Sequence, residues 1–345
     1  MPHTGRELQP ASYPRGEVQP SDFRMVEVVV PDPAPGEVLV RNTWTSVDPA
    51  LRIRLREKAP EGYFPAFALE APLDGILTVG EVVESRAEGF APGDTVWHPY
   101  GWRDYALVDA GREEMRGLGT LTRLDTSIAP PQAYLGPVGA NGLTAYAGLV
   151  YVGELREGDV VWVSAAAGSV GSLVAQIAKN RGHRVIGSAG SDEKVRFLLD
   201  ELSLDAAFNY KSGTVADLLR EAAPDGIDLY FDNVGGDHLE AALGALRRWG
   251  RVALCGSISE YDAEEPRPGP RNLFLATAKD LTLRGFRGSS HTPRLAEAQR
   301  ELGTWLRDGR LKWQETVADG LENAPEALAR VMRGDTLGKT LVRIA

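Results

Sequence analysis

The sequence predicts an α/β protein of two parts: a doubly wound parallel sheet and a β-rich, partly barrel-like domain. Three observations carry this. From Pro130 onward, short apolar runs alternate with helix-period segments, the texture of successive βα units. Before that point, short strands are interrupted by proline- and glycine-bearing turns such as Pro31–Glu37 and Phe90–Asp94. Between Asp159 and Lys194 the chain reads strand, tight glycine turn, helix, strand.

That last stretch organises the rest. Val160–Val163 is a short apolar run suited to a strand buried on both faces. The following Ala166-Ala167-Gly168-Ser169-Val170-Gly171 matches G-x-G-x-x-G with Ala166 at the first glycine. Gly168 lets backbone approach a pyrophosphate, and Gly171 lets the next helix pack close to the sheet. Val170, Leu173, Val174, Ile177 and Ala178 form that helix's apolar stripe, and His183-Arg184-Val185-Ile186 opens a second strand. This is the Rossmann context, in which N–H groups at the start of the helix hold the phosphates of a dinucleotide. The bland reading is a plain glycine turn before a βα helix.

The second strand ends in Gly187-Ser188-Ala189-Gly190-Ser191. About 20 residues after the fingerprint, where an NAD site carries an acidic residue for the ribose diol, stands Ser188. Lys194 follows and can neutralise a 2′-phosphate, which favours NADPH over NADH. The alternative keeps Lys194 in water and gives the diol to Asp192 or Glu193; Asp192 could equally cap the next helix.

Composition limits the rest. The 345 residues are enough for two cores, and the formal net charge of −10 comes with no basic cluster, so no nucleic-acid partner is expected. No run of about 18 apolar residues is present to span a membrane, and the N-terminus lacks an apolar signal region, so a soluble cytoplasmic protein is expected. Cys255 is the single cysteine, which rules out an intrachain disulfide and a four-cysteine zinc site. His3, His98, His183, His238 and His291 lack ligand spacing, and no metal is expected.

In order, Met1–Asp22 reads as an extended polar lead-in, with strands at Phe23–Val30 and Val38–Trp44. Ala50–Leu55 is a short helix, and Arg52, Arg54 and Arg56 in and just after it face either a phosphate or water. The irregular Glu57–Leu73 carries Tyr63, Phe64 and Phe67, as a pocket wall or as loop anchors. Strands follow at Gly75–Glu84 and Thr95–Pro99, and Tyr100–Val108 reads as a turn and strand. Gln132–Leu135 is a helical turn and Gly142–Leu149 a helix. Beyond the fingerprint, helices are expected at Asp192–Glu201, Val215–Ala222, His238–Leu246, Thr292–Asp308 and Ala324–Met332. Strands are expected at Ala206–Tyr210, Gly226–Asp232, Gly250–Cys255, Leu281–Arg287, Leu311–Val317 and Lys339–Ile344. The expected domains are 1–130 with 310–345 for substrate and catalysis, and 131–309 for the dinucleotide. A chain that leaves its first domain and returns would place the active cleft between the lobes.

Val38-Leu39-Val40-Arg41-Asn42, Ser46-Val47-Asp48-Pro49, Gly101-Trp102-Arg103-Asp104-Tyr105, Gly142-Leu143-Thr144-Ala145-Tyr146, the fingerprint itself, Tyr230-Phe231-Asp232-Asn233-Val234-Gly235-Gly236 and Gly338-Lys339 occur in this order. With them the sequence resembles the zinc-independent branch of the medium-chain dehydrogenase/reductase superfamily. Within it, the resemblance is to the NADPH-dependent 2-alkenal and prostaglandin reductase family, which includes leukotriene B4 12-hydroxydehydrogenases and CurA-like enzymes.

The resemblance implies a GroES-like catalytic domain beside the Rossmann domain, and a homodimer. It implies that Lys194 and Tyr210 contact the 2′-phosphate region of NADPH and that Asn233 lies near the nicotinamide half. It places Cys255, Ser257 and Ile258 in a turn along the cofactor, and Tyr261 near the reacting carbonyl. It also puts Asn141, Thr144, Ala167, Gly168, Ser169, Val170, Gly171, Gly190 and Thr336 at the cofactor. For Tyr210 and Tyr261 the competing reading is aromatic packing. Tyr63, Trp102 and Tyr105 are candidate substrate-pocket residues, with core packing the alternative for the last two. The sequence departs from the family at Ala50, where an aromatic is common, at Gly139-Ala140-Asn141-Gly142, and at Thr336, where asparagine is common.

The activity implied is metal-free reduction of the carbon–carbon double bond of an α,β-unsaturated ketone or aldehyde. The alternatives are an NADPH quinone oxidoreductase of the same superfamily and a non-catalytic NADPH-binding protein.

Overall fold

The computed structural model describes residues 3–74, 77–265 and 267–345. The chain divides into two compact units, 1–140 with 315–345, and 141–314.

The first unit is β-rich. β1 (His3–Pro10) pairs antiparallel with β2 (Phe23–Val30) along all eight residues. The lead-in expected to be extended surface chain is therefore a strand. Its polar composition hides this, because the contacts that hold it are long-range. Arg6 reaches Asp104 from both its backbone N and its guanidinium, and Leu8 N donates to the Trp102 carbonyl at 2.9 Å.

β3 (Glu37–Val47) is the long central strand. β4 (Thr78–Ser85) and β6 (Tyr105–Asp109) pair with it; β5 (Thr95–His98) follows β4, and β7 (Thr122–Arg123) follows β5. Of the strand expected from Gly75, the residues Gly75 and Ile76 lie outside the described residues. α1 (Ala50–Arg54) follows β3. Two of its arginines serve structure: Arg52 is buried and donates to the carbonyls of Leu55, Pro14 and Gly16, and Arg54 lies 3.8 Å over the Phe67 ring. The chain returns at its C-terminal end with β14 (Glu315–Asp319), α9 (Ala324–Arg333) and β15 (Lys339–Arg343), and β15 joins β14 to β3.

α2 (Ala140–Ala147) runs from the first unit into the second and is continued by a π-helical turn, Gly148–Val152. The second unit holds β8 (Val160–Val163), α3 (Ser169–Asn180), β9 (Arg184–Ala189), α4 (Asp192–Arg196), β10 (Ala206–Asn209) and α5 (Val215–Ala222). It continues with β11 (Ile227–Asp232), α6 (Gly236–Ala245), β12 (Leu246–Leu254), α7 (Phe274–Ala278), β13 (Thr282–Gly285) and α8 (Leu295–Arg307). The strands are parallel in the order β10-β9-β8-β11-β12-β13. That is a doubly wound sheet whose order reverses between β8 and β11, the place where such sheets bind ligands.

Several boundaries differ from expectation for local reasons. β12 starts at Leu246 because the polar Arg247-Arg248-Trp249 run, with Trp249 at φ 62°, hides a register shift opposite Ile227 and Leu229. Asp192–Glu201 breaks into α4 and a π-helical turn, Phe197–Glu201. Thr292–Arg294 belongs to a 3-10 segment ahead of α8. Leu311 and Lys312 do not enter β14: Leu311 N bonds the Trp305 carbonyl and Lys312 N the Gln176 amide oxygen, so the ladder begins at Glu315.

Candidate functional site

The site is built on the carboxyl ends of β8, β9 and β11. After β8 the chain turns sharply, with Ala165 in the left-handed region at φ 47° and Ala166 N donating to the Ser188 carbonyl at 3.0 Å. Gly168 is the N-cap of α3 and supplies no capping side chain, so the first-turn N–H groups of Ser169, Val170 and Gly171 form an anion-seeking end. A Cβ on Gly171 would stand 2.3 Å from the Ala165 carbonyl oxygen and 2.9 Å from Ala166 Cα. Glycine is therefore required there for the helix to pass under its own turn. This geometry fits the pyrophosphate of a dinucleotide. Ala167 is buried beneath the turn, and Ser169 and Val170 are half-buried.

The second strand of the motif leads to Gly190, Ser191 and Lys194. A Cβ on Gly190 would lie 3.1 Å from the Tyr210 hydroxyl, so Tyr210 stands directly over this backbone. Tyr210 N donates to the Ala189 carbonyl, and the Lys211 ammonium lies 5.9 Å from the Tyr210 ring. Lys194 is half-buried in the first turn of α4. Two details add to the sequence reading. Ser188 is fully buried, its hydroxyl without a partner among the described residues, so it presents nothing to a ribose. Ser191, not Asp192, caps α4 by accepting from Lys194 N, while the Asp192 carboxylate accepts from the Asn209 side chain at 2.8 Å.

After β11, the buried Asp232 carboxylate accepts from Val234 N at 2.9 Å and Gly235 N at 2.8 Å, and the Tyr230 hydroxyl lies 2.7 Å away. Burial raises its pKa and these bonds oppose the rise. Asn233 is fixed to the end of β8: its N donates to Ser164 Oγ at 3.0 Å and its Nδ2 to the Ser164 carbonyl at 2.7 Å. The Cys255–Tyr261 loop is laced to the same turn. Cys255 N and Gly256 N donate to the Asp232 carbonyl, Ile258 N to that of Asn233, and Ser259 N to that of Val234. The Tyr261 hydroxyl accepts from Ser257 N at 3.2 Å. Burial pushes the Cys255 thiol up to about 12, which keeps it protonated at neutral pH. Asn141 and Thr144 share one face of α2 and are half-buried; a Cβ on Gly288 would fall 2.1 Å from Thr144 Oγ1.

The structure thus brings together the fingerprint turn with Asn233, and Asn233 with Cys255, Ser257, Ile258 and Tyr261. It sets Gly190, Lys194 and Tyr210 at the end of the neighbouring strand. Tyr63, Trp102, Tyr105 and Thr336 belong to the β-rich unit. Trp102 is 1% exposed and packs on Phe23 in that unit's core. Its assignment to a pocket wall is therefore replaced by the packing role, because a side chain enclosed by its own core offers no surface to a ligand. Tyr105 is half-buried against His3, and Tyr63 half-buried beside Phe64. Thr336 is half-buried between α9 and β15. Sequence reasoning missed Ser164 and Asp232, which organise the Asn233 turn. Their signal was position alone, one just past β8 and the other last in β11.

No helix among the described residues is long and apolar enough to cross a membrane. Two family models match the chain: an N-terminal domain of oxidoreductases over residues 6–115, and a zinc-binding dehydrogenase over residues 169–302. The zinc of the second description does not fit these residues. Among the described residues no three His, Cys, Asp or Glu side chains are grouped to hold a metal ion. Both His98 nitrogens are already committed, Nε2 to Asn42 Oδ1 at 3.0 Å and Nδ1 to Tyr100 N at 3.1 Å.

The chain is 36% identical to the NADPH-dependent curcumin reductase of Escherichia coli, over 97% of this chain and 95% of that one. It is 36% identical to the NADP(+)-dependent 2-alkenal reductase of Nicotiana tabacum, over 97% and 96%. The crystal structure of CurA from Vibrio vulnificus in complex with NADPH superposes with a TM-score of 0.90 at 34% identity, covering 99% of each chain. With its parallel nucleotide sheet, its β-rich unit and these relatives, the chain belongs to the NADPH-dependent alkenal reductase family of the medium-chain dehydrogenase/reductase superfamily.

Proposed function

We propose that this enzyme uses NADPH to reduce the carbon–carbon double bond of α,β-unsaturated ketones and aldehydes. One observation carries the reading: the uncapped start of α3 and the Asn233–Tyr261 turn meet where the sheet order reverses, joined through Ser164. NADPH, when bound, supplies a hydride to the β-carbon of the conjugated substrate.

The chain's own groups do the rest. The first-turn N–H groups of α3 hold the pyrophosphate, and Lys194 with Tyr210 receives the 2′-phosphate. Asn233, fixed by Ser164, borders the nicotinamide half, and Asn141 and Thr144 on α2 complete the cofactor site within the 141–314 unit. As negative charge develops on the substrate's carbonyl oxygen, the Tyr261 O–H donates a hydrogen bond to it. A preorganised donor of this kind is worth about 3 kcal/mol in the transition state. A proton taken up from solvent at the α-carbon completes the saturated carbonyl. Conjugation spreads the charge, so the residues need no metal for this step. The 141–314 unit binds the cofactor.

The test is anaerobic NADPH oxidation with matched linear enones, cyclic enones and quinones, followed by product identification. A saturated carbonyl is expected. An alcohol product, or turnover of quinones alone, would overturn the reading.

The assembly we infer is a homodimer formed along β13. This strand ends the sheet, its side chains are mostly exposed, and Phe274 is 77% exposed nearby in sequence. Light scattering should give twice the chain mass. The single free cysteine, Cys255, suits a cytoplasmic enzyme.

A further inference from the structure

Beneath Tyr210 lies a side chain that neither the motif nor the proposed chemistry uses. His238, in the first turn of α6, is 4% exposed. Its ring lies nearly parallel to Trp162, with centroids 5.8 Å apart and planes at 13°, and meets the Tyr210 ring edge-on at 5.1 Å and 75°. Trp162 is held in turn by Tyr230, stacked at 4.3 Å. His238 Nε2 is buried without a hydrogen-bond partner among the described residues. An imidazole that leaves a nitrogen unsatisfied is a poor choice for core packing alone, since such a group costs stability. What the ring does is pack against Tyr210, whose hydroxyl is approached by the Gly190 backbone.

We propose that His238 is a positioning residue for cofactor selectivity: its ring holds Tyr210 over Gly190 and so shapes the pocket for the adenosine 2′-phosphate. The inference rests on the NADPH reading above and deepens it. With the imidazole deleted, the Tyr210 ring can settle into the vacated space and its hydroxyl leaves Gly190. The 2′-phosphate then loses the hydroxyl beside it, while the pyrophosphate cradle at α3 is untouched. A ring of the same breadth should serve equally well, because the orphaned nitrogen makes no bond that the pocket needs.

The test is calorimetric titration of the full chain with 2′,5′-ADP and with 5′-AMP, which differ only in the 2′-phosphate. His238→Ala should weaken 2′,5′-ADP binding about tenfold and 5′-AMP binding less than about twofold. His238→Leu, which keeps volume without the flat ring, should fall the same way and serves if the alanine variant does not fold. His238→Phe should restore the wild-type ratio. In a Tyr210→Ala background, His238→Ala should add nothing further. A wild-type 2′,5′-ADP to 5′-AMP ratio in the alanine or leucine variant, equal losses for both ligands, or no rescue by phenylalanine would overturn the positioning role. A wild-type chain that binds 5′-AMP as tightly as 2′,5′-ADP would instead overturn the NADPH reading, and this inference with it.

Discussion

The Asn233 side chain donates to the Ser164 carbonyl oxygen at 2.7 Å, while the Ser164 hydroxyl accepts from Asn233 N at 3.0 Å. Two strands far apart in sequence are thereby locked at the point where the sheet order reverses. Ser164→Ala removes the acceptor for a half-buried N–H and a neighbour of the buried Tyr230 hydroxyl. A loss of about 1–3 kcal/mol is expected from such an unsatisfied group. Urea unfolding should show it, together with a raised KM for NADPH.

Lys194 stands half-buried at the start of α4, beside the strand that ends under Tyr210. Lys194→Ala should weaken NADPH binding by about tenfold, the effect of one charge-assisted contact, and leave NADH nearly unaffected. Fluorescence titration with both cofactors checks this. Equal losses would remove Lys194 from the phosphate.

Tyr261→Phe removes the proposed hydrogen-bond donor to the enolate oxygen. A loss of roughly 100-fold in kcat is expected. The same change deletes the acceptor for Ser257 N, so the loop also loosens. NADPH affinity measured by titration separates the two effects: a donor role predicts lost turnover with affinity held within about threefold.

In the β-rich unit, Lys339 is 1% exposed and its ammonium lies 2.7 Å from Asp48 Oδ1 and 2.6 Å from Ser46 Oγ. Burial lowers the lysine pKa and the aspartate opposes this. Removing one member of a buried pair strands the other, at about 3–5 kcal/mol. Lys339→Ala should lower the unfolding free energy in urea by that much, and the double variant Lys339→Met with Asp48→Leu should recover most of it.

Burial pushes His98 down to about 3 and His238 down to about 4. Both are neutral in the folded and the unfolded chain above pH ~6.5. As pH falls below that value, the unfolded chain takes up protons that the folded chain refuses. Stability is therefore present above pH ~6.5 and is lost as pH drops toward the two folded-state values, by about 2 kcal/mol for each histidine at pH 5. Urea unfolding between pH 5 and 7.5 should show this slope, and His238→Phe should remove part of it.

The sequence by itself determined the βα rhythm after Pro130, the glycine turn from Ala166 to Gly171 and the absence of a metal-ligand pattern. These are local properties: a strand buried on both faces, a turn that tolerates no side chain at Gly171, and helix stripes of fixed period. β2, β8 and α5 follow the expected limits for the same reason. Only the tertiary structure decided that the polar His3–Pro10 is a strand, that Trp102 belongs to the core, that Ser188 faces inward, and that His238 lies beneath Tyr210. Each depends on a partner far along the chain, and no local spacing encodes which distant side chain will fill a given space.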